Sequence, residues 1–138
     1  MIVLDTNVVS ELMKSAPDPM VIRWVDAQAD RALFLTTFTL AEIRYGIAAL
    51  PDGRRRTGLS VAFEDRIRPL FEDRILDFDE AASHAYAKVR ARMRPAGRAI
   101  GDLDALIAAI VVAHGARLAT RDVRPFAEAG ISVVDPWR

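Results

Sequence analysis

The sequence contains no cysteine and only two histidines in 138 residues. Disulfides and thiolate metal sites are therefore excluded, and any metal ion would have to be bound by oxygen or by histidine. The chain also lacks net charge, because 19 basic residues balance 19 acidic ones. A strong overall attraction to nucleic acid is not indicated, so any such contact must depend on a local patch.

Long apolar runs are missing as well. The longest, Ala105 to Ala113, has about half of the roughly 18 residues that a membrane span requires, and no charged-then-apolar leader precedes the body of the sequence. Glycine-rich fingerprints for dinucleotides and nucleoside triphosphates are also absent. With 51% apolar residues, we expect a single domain over residues 1–138, in the cytoplasm and without membrane contact.

Short apolar runs alternate along the chain with helix-length segments of 3.6-residue periodicity. The predicted strands are Ile2–Leu4, Leu33–Leu35, Ile75–Phe78, Arg117–Ala119 and Ile131–Val134. One predicted helix begins at Asp18-Pro19, a second contains Leu40 to Leu50, and a third contains Leu59 to Leu70. Three more are predicted over Glu80–Arg94, Leu103–Ala113 and Val123–Ala129. This alternation is typical of α/β folds, in which a parallel sheet, here of four to five strands, is covered by helices on both faces.

Four carboxylates follow predicted strands or open the helices after them. Asp5 directly follows the first strand, Glu42 lies in the first turn after the second, Asp104 opens the apolar helix, and Asp122 follows the fourth strand. Because the carboxyl ends of parallel strands share one edge of the sheet, these side chains should converge where such folds bind ligands. Converging carboxylates repel unless a cation neutralises them, and Mg²⁺ or Mn²⁺ suits an all-oxygen site.

Each acid, taken alone, also has a purely structural explanation. Asp5 could cap the helix that follows it, and Asp122 could cap the short helix after the fourth strand. Thr39 and Glu42 have the spacing of a capping box. Of the two acids that open the apolar helix, we assign the capping role to Asp102. The shared position at one edge of the sheet nevertheless favours a common site, because independent caps need not coincide there.

Arginine runs could steer a polyanion towards the acidic edge, although such runs more often form a solvent-exposed helix face. The runs are residues 54–56 and the set Arg90, Arg92, Arg94 and Arg98. We retain Arg98 as a possible phosphate contact, because it precedes the helix that carries Asp104.

Aromatic and apolar side chains outside the strands are assigned mainly to packing. We interpret Trp24 and Trp137 as packing residues rather than as platforms for nucleobases. Apolar helix residues could serve a homodimer, although packing in the core is the favoured use of most of them. These residues are Val9, Leu12, Ile43 and Ile47.

Five segments together resemble a known family. They read LDTNVVSE, TLAEIRYGI, DALIAAIVVAHG, LATRD and VVDPW. In this order and spacing they resemble the PIN-domain nucleases, and more narrowly the VapC-type toxins and their FitB-like branch. The resemblance covers nearly the whole chain.

The resemblance implies a three-layer α/β/α domain, Mg²⁺ or Mn²⁺ at the acidic cluster, cleavage of RNA, a homodimer, and inhibition by a cognate antitoxin. The family's acidic positions and its accessory polar positions are both occupied here. The acids are Asp5, Glu42, Asp104 and Asp122, and the polar residues are Asn7 and Thr120, to which we add the adjacent Thr6. Many relatives carry a further acid after Asp122, whereas Arg124-Pro125-Phe126 has none, so a second full metal site is not implied.

These residues lead to a hypothesis of metal-assisted phosphodiester hydrolysis. Asp5, Asp104 and Asp122 would hold the metal, and Glu42 would orient the attacking water or complete the shell. A haloacid dehalogenase-like phosphoryl transferase is disfavoured, because it needs a second Asp where Asn7 stands. The alternative is a non-catalytic module that works in a DNA-binding complex. In that complex the antitoxin contacts the DNA, and the acidic edge of this chain receives an arginine of the antitoxin.

Overall fold

The structure is a computed structural model that describes residues 1–94 and 100–138. Within these ranges five strands form one sheet. They are β1 (Ile2–Leu4), β2 (Leu33–Thr36), β3 (Ile75–Leu76), β4 (Arg117–Ala119) and β5 (Val133–Val134). The strands are parallel in the order β3-β2-β1-β4-β5, with Ile2 opposite Leu33 on one side and Arg117 on the other. The predicted parallel sheet of four to five strands is confirmed with five, although β3 and β5 are shorter than expected.

The helices lie on both faces of this sheet. They are α1 (Thr6–Leu12), α2 (Pro19–Asp26), α3 (Thr37–Ala48), α4 (Arg54–Val61), α5 (Glu80–Met93), α6 (Asp102–Ala113) and α7 (Val123–Glu128). The predicted start of α2 is confirmed, since Asp18 caps the helix by accepting a hydrogen bond from the Met20 amide at 2.8 Å, and Pro19 is its first residue. None of the helices in residues 1–94 and 100–138 combines the length and the hydrophobicity that a membrane span needs.

Alternation along the strands divides the core into two clusters. Val3 and Leu118 pack on one face of the sheet, and Ile2, Leu4 and Ala119 pack on the other, as the period-two geometry of a strand requires. The first cluster is completed mainly by α5, α6 and Phe126, and the second by α1, α2, α3, Phe63, Ile67 and Phe71. The predicted three-layer α/β/α arrangement is therefore confirmed.

The helix predicted around Leu59 to Leu70 is less regular than its periodicity suggested. α4 runs into a π-helical turn over Ala62–Ile67 and then a 3₁₀ turn over Arg68–Phe71. Phe63, Ile67 and Phe71 are all buried, so the irregular turns keep three residues spaced by four on the core side. Leu70, predicted on the apolar face, is instead 66% exposed.

The apolar residues considered for a homodimer face lie in or against the core. Val9 and Ile43 are buried, and Leu12 and Ile47 are partly buried against the second cluster. They therefore do not form an exposed apolar face, and the interpretation as packing residues is the right one. The homodimer itself stays a prediction.

The order of the strands places one crevice at the centre of the sheet. From β1 the chain continues to β2 on one side, and it later returns to β4 on the other. In parallel α/β sheets, ligands bind outside the carboxyl ends of the strands where the order reverses in this way. The ends of β1 and β4 therefore mark the expected site.

Candidate active site

Asp5 lies directly after β1 at this crevice and is almost completely buried. Its amide donates to the Ala119 carbonyl at 2.9 Å, which continues the pairing of β1 with β4. Its Oδ1 accepts from the Thr6 amide at 2.8 Å, and its Oδ2 accepts from the Thr120 hydroxyl at 2.8 Å. Asp5 thus caps α1, as one explanation predicted, and also stands at the crevice, as the other predicted.

Thr120, which is completely buried, connects the polar residues at the ends of β1 and β4. Its hydroxyl donates to Asp5 and accepts from the Asn7 side-chain amide at 3.2 Å and from the Asp122 backbone amide at 3.1 Å. The Asn7 Oδ1 in turn accepts from the Arg121 amide at 3.3 Å. Asp122 occupies the cap position of α7 but makes no side-chain capping hydrogen bond. The capping explanation is therefore wrong for its carboxylate.

Glu42 lies in the second turn of α3 rather than in the first, because the helix already begins at Thr37. The cap is Thr36, whose hydroxyl accepts from the Thr39 amide at 3.1 Å. The capping box of Thr39 and Glu42 is therefore wrong. Glu42 instead points across to α1, where its Oε1 accepts from the Thr6 hydroxyl at 2.5 Å.

The two acids at the start of α6 have different surroundings. The helix is capped by Gly101, without a side-chain hydrogen bond, so the capping role predicted for Asp102 is wrong. Asp102 is the first helical residue, its side chain is 94% exposed, and it forms an ion pair with Arg90. Asp104 is partly buried and faces the pocket described next.

One open pocket of about 440 Å³ contains all four predicted carboxylates. We call it the acidic pocket, and it is lined by Asp5, Thr6, Asn7, Ser10, Glu11, Lys14, Glu42, Asp104, Arg121, Asp122 and Trp137. The predicted accessory residues Thr6 and Asn7 are in this lining, and Thr120 lies behind it through its hydrogen bonds. Asp102 is not part of the lining, and Arg98 lies outside the described residues. The roles of these side chains stay predictions.

The carboxylates influence one another electrostatically. The pKa of Asp5 is raised to about 6, mainly by burial and to a smaller extent by the charges of Asp104 and Glu42, while the hydrogen bonds from Thr120 and Thr6 act in the opposite direction. Burial also raises the pKa of Asp104, and the charges of Glu42 and Asp122 add to the effect. The pocket is therefore a place where negative charge is costly and where a cation would be stabilised.

The donor types in the acidic pocket fit Mg²⁺ or Mn²⁺. Carboxylate, hydroxyl and amide oxygens dominate its lining, and these hard ligands are the ones such ions prefer. Among residues 1–94 and 100–138, however, no three acidic or histidine side chains have the close spacing of a metal-ligand group. The ligand types and the electrostatics are thus present, whereas a finished coordination shell is not displayed.

Sequence reasoning missed several polar residues of the pocket. Glu11 is almost fully buried and accepts from the Lys14 ammonium at 2.9 Å and the Asp18 amide at 3.0 Å. The hydrogen bond from Lys14 lowers the pKa of Glu11. The available signal was helical spacing, because Asn7, Ser10, Glu11 and Lys14 stand at i, i+3, i+4 and i+7 and so share one face of the helix and its continuation.

Arg121 and Trp137 form another part of the lining that the sequence did not reveal. The Arg121 guanidinium lies over the Trp137 ring, 5.0 Å from its centroid. Trp137 also packs against the second core cluster, so its assignment as a packing residue is correct but incomplete.

Comparison with known proteins agrees with this architecture. A family model described as PIN domain matches residues 2–131. Over 137 residues the chain is 47% identical to VapC ribonuclease Y4jK of Sinorhizobium fredii, covering 99% of this chain and 98% of that relative. It is 39% identical over 137 residues to toxin FitB of Neisseria gonorrhoeae, with 99% of each protein covered.

A solved structure gives the same result in three dimensions. A chain in the structure of FitAB bound to an IR36 DNA fragment matches with a TM-score of 0.93 and 38% identity, covering 100% of this chain and 96% of that one. The similarity thus extends over the strands and helices that surround the acidic pocket. The chain therefore belongs to the PIN-domain family, within its group of VapC-type and FitB-like toxins.

Proposed function

We propose that this protein is a divalent-metal-dependent endoribonuclease that acts in the cytoplasm as the toxin of a toxin–antitoxin pair. The observation that carries the proposal is the convergence of four carboxylates on one pocket at the centre of the sheet. The relatives named a ribonuclease and a toxin support this assignment over nearly the full length of the chain.

Asp5, Asp104 and Asp122 are the residues that would hold Mg²⁺ or Mn²⁺, with Glu42 beside them. When bound, such an ion lowers the pKa of a coordinated water and neutralises charge that builds up on the phosphate. The raised pKa values of Asp5 and Asp104 support this role, because they reflect burial and unneutralised neighbouring charge.

The residues around the carboxylates orient them for this chemistry. The Thr6 amide and the Thr120 hydroxyl hold the two oxygens of Asp5, which fixes the plane of its carboxylate. The Thr6 hydroxyl holds Oε1 of Glu42. Oε2 of Glu42 is then the oxygen that would accept a proton from the water attacking the phosphodiester.

Cleavage of RNA by the isolated chain tests the proposal. With Mg²⁺ we expect cleavage that is lost with EDTA, and that Asp104→Asn reduces by about 1,000-fold or more, since several kcal/mol of transition-state stabilisation disappear. Asp102→Asn is the matched control, because it removes the same charge two residues away, outside the pocket lining. Parental cleavage by a folded Asp104→Asn variant would overturn the assignment.

The second candidate function is a non-catalytic module in a DNA-bound complex with an antitoxin. The neighbouring FitAB structure, which is bound to DNA, favours considering it. On this reading the acidic pocket receives an arginine of the antitoxin, and DNA is contacted only through that partner. Metal-dependent cleavage by the isolated chain, inhibited when the antitoxin is added, would exclude it. Sedimentation of the same sample tests the expected homodimer.

A further inference from the structure

A larger cavity of about 800 Å³ lies between the end of α1 and the segment from α4 to the π turn. We call it the arginine groove. Its lining consists of Leu12, Met13, Lys14, Ser15, Ala16, Arg54, Arg55, Gly58, Leu59, Ala62, Arg66 and Ile67. The lining thus combines four cationic side chains with an apolar floor, and no carboxylate belongs to it.

Three of these cations are not neutralised. Within the described ranges, Arg54, Arg55 and Arg66 have no ion pair with a carboxylate, and all three are exposed. The two arginines that line a separate cavity nearby differ, because Arg44 pairs with Glu64 and Arg56 pairs with Asp52. Three unpaired cationic side chains therefore line the groove together. Such a patch attracts a polyanion even though the whole chain is electrically neutral.

The arginine groove and the acidic pocket are linked by a third cavity that shares lining residues with both. This smaller cavity has a volume of about 290 Å³. It shares Thr6, Ser10, Lys14 and Glu42 with the acidic pocket, and it shares Met13, Lys14, Arg55 and Leu59 with the groove. Lys14 lines all three cavities. A strand with one phosphate at the carboxylates can therefore continue past Lys14 towards Arg55.

We propose, on the basis of the nuclease function above, that the arginine groove binds the single-stranded RNA that flanks the cleaved bond. Arg54, Arg55 and Arg66 contact its phosphates, and the apolar floor contacts its bases. The acidic pocket alone repels a polyanion, so the positive charge beside it supplies the attraction that substrate binding needs. Contacts remote from the reacting bond bind substrate and transition state alike, so their loss raises KM.

The test compares two double variants with the same change in charge. Arg55→Gln/Arg66→Gln removes two groove cations, whereas Arg23→Gln/Arg117→Gln removes two exposed arginines that line none of these three cavities. Cleavage of an RNA oligonucleotide of about 20 residues is measured as a function of salt. The groove variant should raise KM and reduce the slope of log affinity against log salt by about 1.4, which is about 0.7 for each lost phosphate contact.

The control variant should keep the parental KM and slope, and Arg55→Lys/Arg66→Lys should restore most of the affinity, because it restores the charge. Equal KM values for the parent and the folded groove variant would overturn the proposal. It would also be overturned if the groove variant lost only inhibition by the antitoxin, since the groove would then be a protein-docking surface.

Failure of the proposed nuclease function can be told apart from failure of the groove proposal. If neither the parent nor any variant cleaves RNA, binding of the same oligonucleotide, carrying a fluorescent label, is measured by fluorescence anisotropy in EDTA. Weaker binding by the groove variant than by the control variant would still support the groove, and equal binding would refute it.

Discussion

The acidic pocket and the arginine groove lie side by side along α1, and they handle charge in opposite ways. In the pocket, Asp5 is almost completely buried and held by hydrogen bonds to both oxygens. In the groove, Arg54, Arg55 and Arg66 are exposed. Burial of a charge costs solvation free energy and requires partners that the fold orients, so a buried charge suits chemistry at a defined point. An exposed charge keeps its hydration and is screened by salt, so it suits attraction of a polyanion.

The largest effect expected from this difference is the pH dependence that buried Asp5 gives to the stability of the protein. The pKa of Asp5 is about 6 in the folded protein and has an ordinary value of 3.8. Between these values the folded state binds the proton and the unfolded state does not, so the free energy of unfolding falls as pH rises. Above pH 6, the raised pKa of Asp5 should lower the free energy of unfolding by about 3 kcal/mol relative to its value below pH 3.8.

Urea unfolding in EDTA at pH 4 to 7 measures this decrease. The Asp5→Asn variant should lack that part of the decline and should be more stable than the parent at pH 7. Parallel stability curves for the two proteins would show that Asp5 is not destabilised by burial, and the contrast with the groove would disappear.

Divalent ions should reverse the same destabilisation. At a free Mg²⁺ concentration one hundred times Kd, binding to the folded state alone adds about 2.7 kcal/mol to the free energy of unfolding. The shift in Tm should persist in Asp102→Asn and disappear in Asp104→Asn. An equal shift in both variants would place the ion outside the acidic pocket.

Orientation of Glu42 should have a smaller effect. Thr6→Val keeps the shape of the side chain but removes the hydroxyl that donates to Glu42. Loss of a hydrogen bond that orients such a group typically costs about 10- to 100-fold. We expect the loss in kcat with little change in KM, and recovery in Thr6→Ser. Thr57→Val, on the exposed side of α4, is the matched control, and an equal loss in both would contradict the role of Thr6.

The smallest effect is expected at Asp102. Its ion pair with Arg90 is exposed, and exposed pairs contribute little to stability. Asp102→Asn should change the free energy of unfolding by less than the error of a denaturant titration. A clear loss of stability would mean that exposed charge on this protein carries more energy than the contrast with the pocket allows.

Much of the architecture was predictable because it depends on local patterns. The alternation of apolar runs and amphipathic segments predicted all five strands and the parallel sheet, and Asp18-Pro19 predicted the start of α2. The rule that parallel strands end at one edge was enough to predict that Asp5, Glu42 and Asp122 would share a pocket with Asp104.

The failures have a common physical origin, since each concerns a choice between alternative partners. Local spacing favoured Thr39 as the partner of Glu42, but the actual donor is Thr6, 36 residues away. The threonine that caps α3 is Thr36. Periodicity also predicted a regular helix where packing of Phe63, Ile67 and Phe71 is accompanied by π and 3₁₀ turns.

By itself, then, the sequence determined the fold class, the family and the set of carboxylates, because periodicity and motif order are properties of the chain. The tertiary structure decided which of those carboxylates is buried, which hydroxyl orients each one, and which arginines stay unpaired beside them. Desolvation, hydrogen bonding and ion pairing depend on neighbours brought together by folding, and those neighbours are distant in the sequence.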